Sequence, residues 1–185
     1  ENTFESVYHI KSDRFVQLAD EDLPDVSLGR HGRVAYANNN WPHAKKASWF
    51  GRFNDVWVVD TRTGEKTRVK EKLFGYGRLS PNGNYLYWFE GEDWFVYDIE
   101  RERTVTITKT IDVPFDRQDH DRPEPARSYG IAGWTDNDKT ILLYDRYDIW
   151  EISPDGKESR MITEGVGREH DLSFRYINLD RDEYT

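Results

Sequence analysis

The chain has 185 residues and a mass of 22.0 kDa, the length of one ordinary domain or of a slice from a larger one. It holds no cysteine, which excludes disulfide frameworks, thiolate zinc sites and a cysteine nucleophile. Lys+Arg 26 against Asp+Glu 35 gives a net charge of −9, which argues against a nucleic-acid coat or an anionic-membrane binder.

The opening Glu1-Asn-Thr-Phe-Glu-Ser lacks the basic and apolar regions of a signal peptide, and no apolar run is long enough to span a bilayer. Charged residues make up 33% and the mean hydropathy is −0.91, but aromatic residues reach 15%. Disordered chains are poor in aromatics, whereas aromatic and β-branched residues set among polar ones suit antiparallel sheets. The expected class is all-β.

In chain order, Val7–Ile10, a turn at Lys11–Arg14 and Phe15–Leu18 read as a hairpin that ends one structural unit. Asn38–Lys46 reads as a polar loop carrying Trp41, a rim aromatic or a stacking platform. Asp55–Asp60 is an aromatic strand followed by a turn at Thr61–Glu65. Leu79-Ser-Pro-Asn-Gly-Asn84 is a turn, because proline presets φ and Asn-Gly supplies positive φ. Tyr85–Phe89, Trp94–Asp98 and the alternating Thr104–Thr108 are then three strands separated by the Glu90–Asp93 and Glu100–Arg103 turns. Thr140–Tyr144, Asp148–Ile152 and Glu158–Thr163 repeat that order after the turn at Trp134–Lys139.

These segments are copies of one unit, spaced about 38 and about 55 residues apart, and Trp57, Phe95 and Trp150 fall at one equivalent, core-facing position. Units of roughly 40–45 residues with four strands are the sequence signature of β-propeller blades. The expected fold is a partial β-propeller of about three four-stranded antiparallel blades, with partial blades at both ends. Its boundaries are a blade end at 4–20, blades at about 33–70, 74–109 and 129–164, and the start of a further blade at 171–185, with a turn at Asp180–Glu183. Open blade edges invite self-association. No helical stripe with caps appears, so helical solenoids are disfavoured.

The insertion at Asp112–Ser128 is the least blade-like stretch. Asp116, Asp119, His120, Asp121 and Glu124 place carboxylates around an imidazole, the chemistry of a cation site or of a cradle for a peptide's terminal amine. The spacing lacks the glycine of an EF-hand, and a solvated inter-blade loop accounts for the same residues. Asp145-Arg146-Tyr147-Asp148 reads either as a charge network facing a ligand or partner, or as a hairpin turn in which Arg146 pairs with a nearby carboxylate. The candidate substrate-binding residues are therefore Asp119, His120, Asp121, Asp145, Arg146 and Tyr147. His9, His31, His43, His120 and His170 show no metal spacing, and Gly75-x-Gly77, Gly130-x-x-Gly133 and Gly165-x-Gly167 lack a phosphate-loop pattern. No cofactor is expected.

Leu79-Ser-Pro-Asn-Gly-Asn-Tyr-Leu86 resembles the turn-and-strand signature of TolB-like and dipeptidyl-peptidase-type blades. Tyr129-Gly-Ile-Ala-Gly-Trp134 with Tyr144-Asp-Arg-Tyr-Asp-Ile-Trp150 resembles the N-terminal propeller of bacterial serine peptidases of the prolyl oligopeptidase and dipeptidyl peptidase IV clan. The likeness spans roughly Val7 to Tyr176. It implies a propeller that gates and positions peptide substrates above a C-terminal α/β-hydrolase domain of the parent chain, in an extracytoplasmic setting. This chain has no Gly-x-Ser-x-Gly elbow and no βαβ alternation, so the chain itself is not expected to be the enzyme. The rival expectation is a stand-alone propeller-like module that binds protein or glycan.

Overall fold

The computed structural model describes residues 3–46 and 51–179. The first strands, β1 (Ser6–His9) and β2 (Arg14–Gln17), form a two-stranded antiparallel hairpin. Three four-stranded sheets follow, each a simple meander of chain neighbours. The first contains β3 (Ser27–Leu28), β4 (Val34–Asn39), β5 (Phe53–Asp60) and β6 (Lys66–Phe74). The second contains β7 (Arg78–Leu79), β8 (Tyr85–Glu90), β9 (Asp93–Asp98) and β10 (Arg103–Thr106). The third contains β11 (Ile131–Trp134), β12 (Ile141–Tyr144), β13 (Ile149–Ile152) and β14 (Ser159–Met161). The fold is all-β and consistent with a partial β-propeller; it is a blade fold, not a catalytic α/β one.

One turn recurs at the first hairpin of each sheet and explains why the copies align. Gly29 N–H donates to Val34 O, Ser80 N–H to Tyr85 O and Thr135 N–H to Thr140 O, at 2.8–2.9 Å. Inside each turn the residue three further on donates back: Gly32 to Gly29 O, Gly83 to Ser80 O and Asp138 to Thr135 O. That residue sits at positive φ in every copy, 64° at Gly32, 73° at Gly83 and 55° at Asp138. A side-chain hydroxyl reinforces two of them, Ser80 Oγ accepting from Tyr85 N–H and Thr135 Oγ1 from Thr140 N–H.

The chain divides into two compact units, residues 1–86 and 87–185, and the division falls inside β8. In the first unit Val16, Leu18, Ala19, Leu23, Val26, Ala35, Ala37 and Val59 form a buried cluster, with Phe4, Val7 and Trp57 packed against it. In the second, Trp88, Trp94, Val96, Ile107, Phe115, Leu143 and Ile152 are among the buried apolar residues. Tyr87 rests against Trp134 with ring centroids 5.5 Å apart.

Trp57, Phe95 and Trp150 are half-buried; Trp57 packs against the core cluster of the first unit, and Trp150 meets the buried Phe115. Their blade-equivalent neighbours two residues on, Val59, Tyr97 and Ile152, take the deep place on the same face at 0%, 8% and 0% exposure. The larger rings reach toward the rim of the packing: Trp57 lies 5.7 Å beneath the Arg68 guanidinium, and Phe95 stacks on Trp88 at 5.6 Å.

Two stretches depart from the sequence expectation. Asn38 and Asn39 belong to β4, and Trp41–Lys46 is a 3-10 turn rather than an irregular loop. Asn38 pairs with the Gly77 backbone through both ends of its amide, at 2.9 and 2.7 Å. After β14 a single short helix, α1 (Val166–His170), precedes residues 171–179, which form no strand. The turn expected at Asp180–Glu183 lies outside the described residues.

Candidate functional site

Between β10, which ends at Thr106, and β11, which starts at Ile131, the chain leaves the blade pattern. Prolines at 114, 123 and 125 remove backbone donors, so a regular ladder is impossible there. What forms instead is a pinned hairpin. Asp116 and Ser128 make an antiparallel bridge, Arg117 N–H donates to Arg127 O at 2.8 Å, and Tyr129 N–H donates to Phe115 O at 3.1 Å. Phe115 anchors its base, 1% exposed and edge-on to Trp150 with centroids 6.3 Å apart. At the tip, the Tyr129 hydroxyl accepts from Gln118 N–H, and the His120 ring Nε2 lies 2.7 Å from Glu124 O.

The hairpin encloses an open, polar cavity of about 450 Å³ lined by Arg117, Asp119, His120, Asp121, Arg122, Glu124 and Arg127. Three guanidinium groups and three carboxylates thus face one space. Asp119 meets Arg117 only loosely, Nε to Oδ1 3.7 Å, with side chains 67% and 56% exposed. An exposed pair of that geometry contributes little to stability and leaves the carboxylate available to a ligand. Among the described residues no three His, Cys, Asp or Glu side chains form a group that could hold a metal ion.

The second candidate group occupies the turn between β12 and β13, and the structure gives its members different roles. Asp145 is 0% exposed and its carboxylate is fully engaged: Oδ1 accepts from Tyr147 N–H at 2.6 Å and Asp148 N–H at 2.7 Å, and Oδ2 from Trp150 Nε1–H at 3.0 Å. Its ionic partner is Arg168 at 3.1 Å, not the neighbouring Arg146. Arg146 is exposed, and Tyr147 is half-buried beneath it. Asp148, also 0% exposed, accepts from Thr163 Oγ1–H at 2.6 Å, Gly167 N–H at 3.0 Å and Arg168 N–H at 3.2 Å.

Asp119, His120 and Asp121 are therefore brought together at one cavity, whereas Asp145 is a buried framework group. Sequence reasoning missed Arg117, Arg122 and Arg127 as cavity residues, and Thr163, Gly167 and Arg168 as partners of the turn. The missed signal for Thr163 was a repeat: Thr108 stands in the same relation to Asp93, and each pair is 15 residues apart.

In the first sheet, Asp55 occupies the corresponding place with different partners. Its Oδ1 lies 2.7 Å from His43 Nε2 and accepts from Lys72 N–H at 2.9 Å, and Arg68 approaches Oδ2 at 3.6 Å. Burial by itself would raise the Asp55 pKa, but His43, the Lys72 amide and Arg68 together outweigh it and hold the carboxyl below its ordinary value.

No family model and no curated protein matches the chain. Among solved structures it is similar to a putative TolB from Agrobacterium tumefaciens, at 12% identity and a TM-score of 0.47, over 81% of this chain and 50% of that one. It is similar to TolB from Acinetobacter baumannii at 12% identity and a TM-score of 0.42, over 85% and 37%. It is also similar to Porphyromonas gingivalis dipeptidyl peptidase 4, at 11% identity and a TM-score of 0.42, over 88% and 37%. The chain spans half or less of the length of each of these three structures.

Proposed function

We propose that this chain is a non-catalytic propeller segment of a prolyl oligopeptidase-like serine peptidase, and that its insertion hairpin positions the free amine of a peptide substrate. The observation that carries this reading is the convergence of Asp119, Asp121 and Glu124 on one cavity held open by a pinned hairpin. A protonated amine needs two or three acceptors and gains a charge-assisted hydrogen bond from each carboxylate. The His120 ring, tied to Glu124 O, holds the tip that carries them.

In this reading the blades are scaffold and gate, and the chemistry belongs to an α/β-hydrolase domain elsewhere in the parent chain, in an extracytoplasmic setting. The described residues contain no helix long and apolar enough to cross a membrane. A second copy or a neighbouring blade would cover the β1–β2 hairpin, where Tyr8, Ile10 and Phe15 stand 56%, 85% and 65% exposed. The rival reading, a glycan- or protein-binding module, is favoured by one feature, the exposure of Trp41 at 65%.

Two measurements separate them. An antibody to this segment should detect, in extract of the source cells, a polypeptide heavier than 22.0 kDa by at least a domain of roughly 100–200 residues, and that polypeptide should take up a serine-directed fluorophosphonate. An unlabelled band near 22 kDa would replace the peptidase reading with the binding module. A short peptide with a free amine should bind the chain, and its acetylated form or an Asp119→Asn, Asp121→Asn variant should lose about tenfold in affinity. Equal binding of both peptides removes the amine from the proposal.

A further inference from the structure

The turn between β12 and β13 gathers three arginines on two tyrosine rings, a feature that the amine-positioning reading of the insertion does not use. The Arg146 guanidinium lies 5.1 Å from the centroid of the Tyr147 ring, and Arg168 lies 5.3 Å from the same ring. Arg175 stands 4.7 Å from the centroid of Tyr144, whose hydroxyl accepts from Tyr176 N–H at 2.9 Å. Residues 173–176 are fastened along this turn: Phe174 N–H donates to Tyr147 O at 2.7 Å, and Ser173 Oγ–H donates to Arg146 O at 3.0 Å. Arg175 Nη2 reaches the same Arg146 carbonyl at 3.5 Å, which brings the Arg175 guanidinium beside the Arg146 backbone.

The charges do not cancel internally. Arg168 is answered by the buried Asp145. Asp148 is turned inward, to Thr163 and Gly167. Arg146 makes no ion pair among the described residues, and Arg175 spends its donors on the Phe174 and Arg146 carbonyls, which do not neutralise it. Two uncompensated guanidinium groups thus border the same turn, one over each of its tyrosine rings, on a chain of net charge −9. Stacking on a phenol face fixes the guanidinium plane in advance, which lowers the ordering cost of a bidentate contact with an oxyanion.

We propose that Arg146 and Arg175 form an oxyanion-binding site, with Tyr147 and Tyr144 as its platforms, and that its ligand is a carboxylate of an acidic peptide segment. Asp145 is a positioning residue here, holding Arg168 against Tyr147. A phosphate group shares the same fork-matching chemistry. The site stands on side chains other than those of the insertion cavity, so it holds or fails independently of the amine reading.

The test is a nuclear magnetic resonance titration of the 185-residue chain that follows the arginine Nε–H and Tyr147 backbone N–H signals. The two probes, used separately, are inorganic phosphate and an acetylated, amidated peptide of glutamates. Saturable shifts at Arg146, Arg175 and Tyr147 with the peptide are expected, weakening by about tenfold in Arg146→Gln and in Arg175→Gln. Arg103→Gln, an exposed arginine of β10 outside both sites, should bind as the parent chain does. Arg146→Gln is the decisive variant, because the main-chain carbonyl that fastens residues 173–175 stays in place. Saturation by phosphate alone overturns the carboxylate assignment in favour of a phosphoryl ligand. Shifts that grow without saturating with either probe, or an equal loss in Arg103→Gln, overturn the site.

Discussion

Thr163 donates its hydroxyl to Asp148 Oδ1 at 2.6 Å while accepting from Ile149 N–H at 3.2 Å. Thr108 repeats both bonds in the preceding sheet, to Asp93 at 2.6 Å and from Trp94 N–H at 3.0 Å. In each case a threonine just past the fourth strand closes onto the aspartate that opens the third, so one hydroxyl locks the outer strand pair of the blade. Removing it strands a carboxylate lone pair and a backbone N–H together. Thr163→Val and Thr108→Val should each cost about 1–3 kcal/mol, a fall in Tm of about 2–4 °C for every kcal/mol at this chain length. Thr→Ser at the same positions should recover most of it. Denaturant melts of the four variants check this, and a valine as stable as its serine counterpart would remove the lock.

Gly167 supplies the second clamp on Asp148. A Cβ there would meet Asp148 Oδ1 at 2.7 Å and the Leu172 and Tyr147 carbonyl oxygens at 2.8 Å each. Two of those atoms are backbone, so the turn and the segment after α1 would have to part. Gly83 is the contrast, since its φ of 73° is the obstacle while a Cβ would meet nothing within 4 Å. Gly83→Ala should cost roughly 1–2 kcal/mol, the left-handed penalty alone. Gly167→Ala should cost more than that and also shift the Tyr147 and Arg168 resonances, while Gly83→Ala leaves them in place.

These two relationships mark how far the sequence could be read. The turn at Leu79–Asn84 was legible because Ser80-Pro-Asn-Gly states its backbone angles in residue type, and that at Trp134–Lys139 by its alignment with it, whereas the Gly29–Val34 copy was not read. The insertion was legible by its failure to alternate, and Asp119, His120 and Asp121 by their crowding. Thr163 and Arg168 were not, because they reach Asp148 and Asp145 only after two strands have paired, and nothing at their own positions announces it. Fifteen residues after Asp55 stands Lys70, which carries no hydroxyl; two insertions in β6 relative to β5 bring the Lys72 amide to Asp55 instead. Residues 171–176 carry the aromatic and apolar pattern of a strand, yet the short α1 and the Phe174–Tyr147 contact turn them along the turn between β12 and β13.

Asp55 makes the acid response of the chain predictable in sign. Its carboxyl is held below the ordinary 3.8, His43, Lys72 N–H and Arg68 together outweighing the effect of burial. A carboxylate with a depressed folded pKa contributes stability that is present above the unfolded value and lost as pH falls through the folded one. Asp20, Asp60 and Glu151 are shifted in the same direction, and Asp155 is lowered to about 2. Denaturant stability should therefore decline as pH drops below about 4. Asp55→Asn should be less stable than the parent at neutral pH but decline less steeply in acid. An unchanged acid slope would assign that response to the other carboxylates.

Phe115 decides whether the insertion is a built element or a loose connection. Its ring is 1% exposed and meets Trp150 edge-on, in the register where Trp57 and Phe95 stand in the other sheets. Phe115→Ala would leave a cavity beside Trp150 and should cost about 3–5 kcal/mol if the insertion unfolds only with the blade. If instead the hairpin is fastened to an independently stable blade, the global cost shrinks and the loss appears locally. Amide exchange resolves the two, since the Arg117 and Tyr129 N–H groups are bonded across the hairpin and Ile162 N–H lies in the blade, donating to Ile149 O at 2.8 Å. The expected outcome is faster exchange at Arg117 and Tyr129 with Ile162 unchanged, together with loss of amine-peptide binding, because Asp119 and Asp121 converge only while Phe115 holds the base. Exchange that accelerates equally at all three would make the insertion part of the blade's own cooperative unit, and the cavity a consequence of its packing.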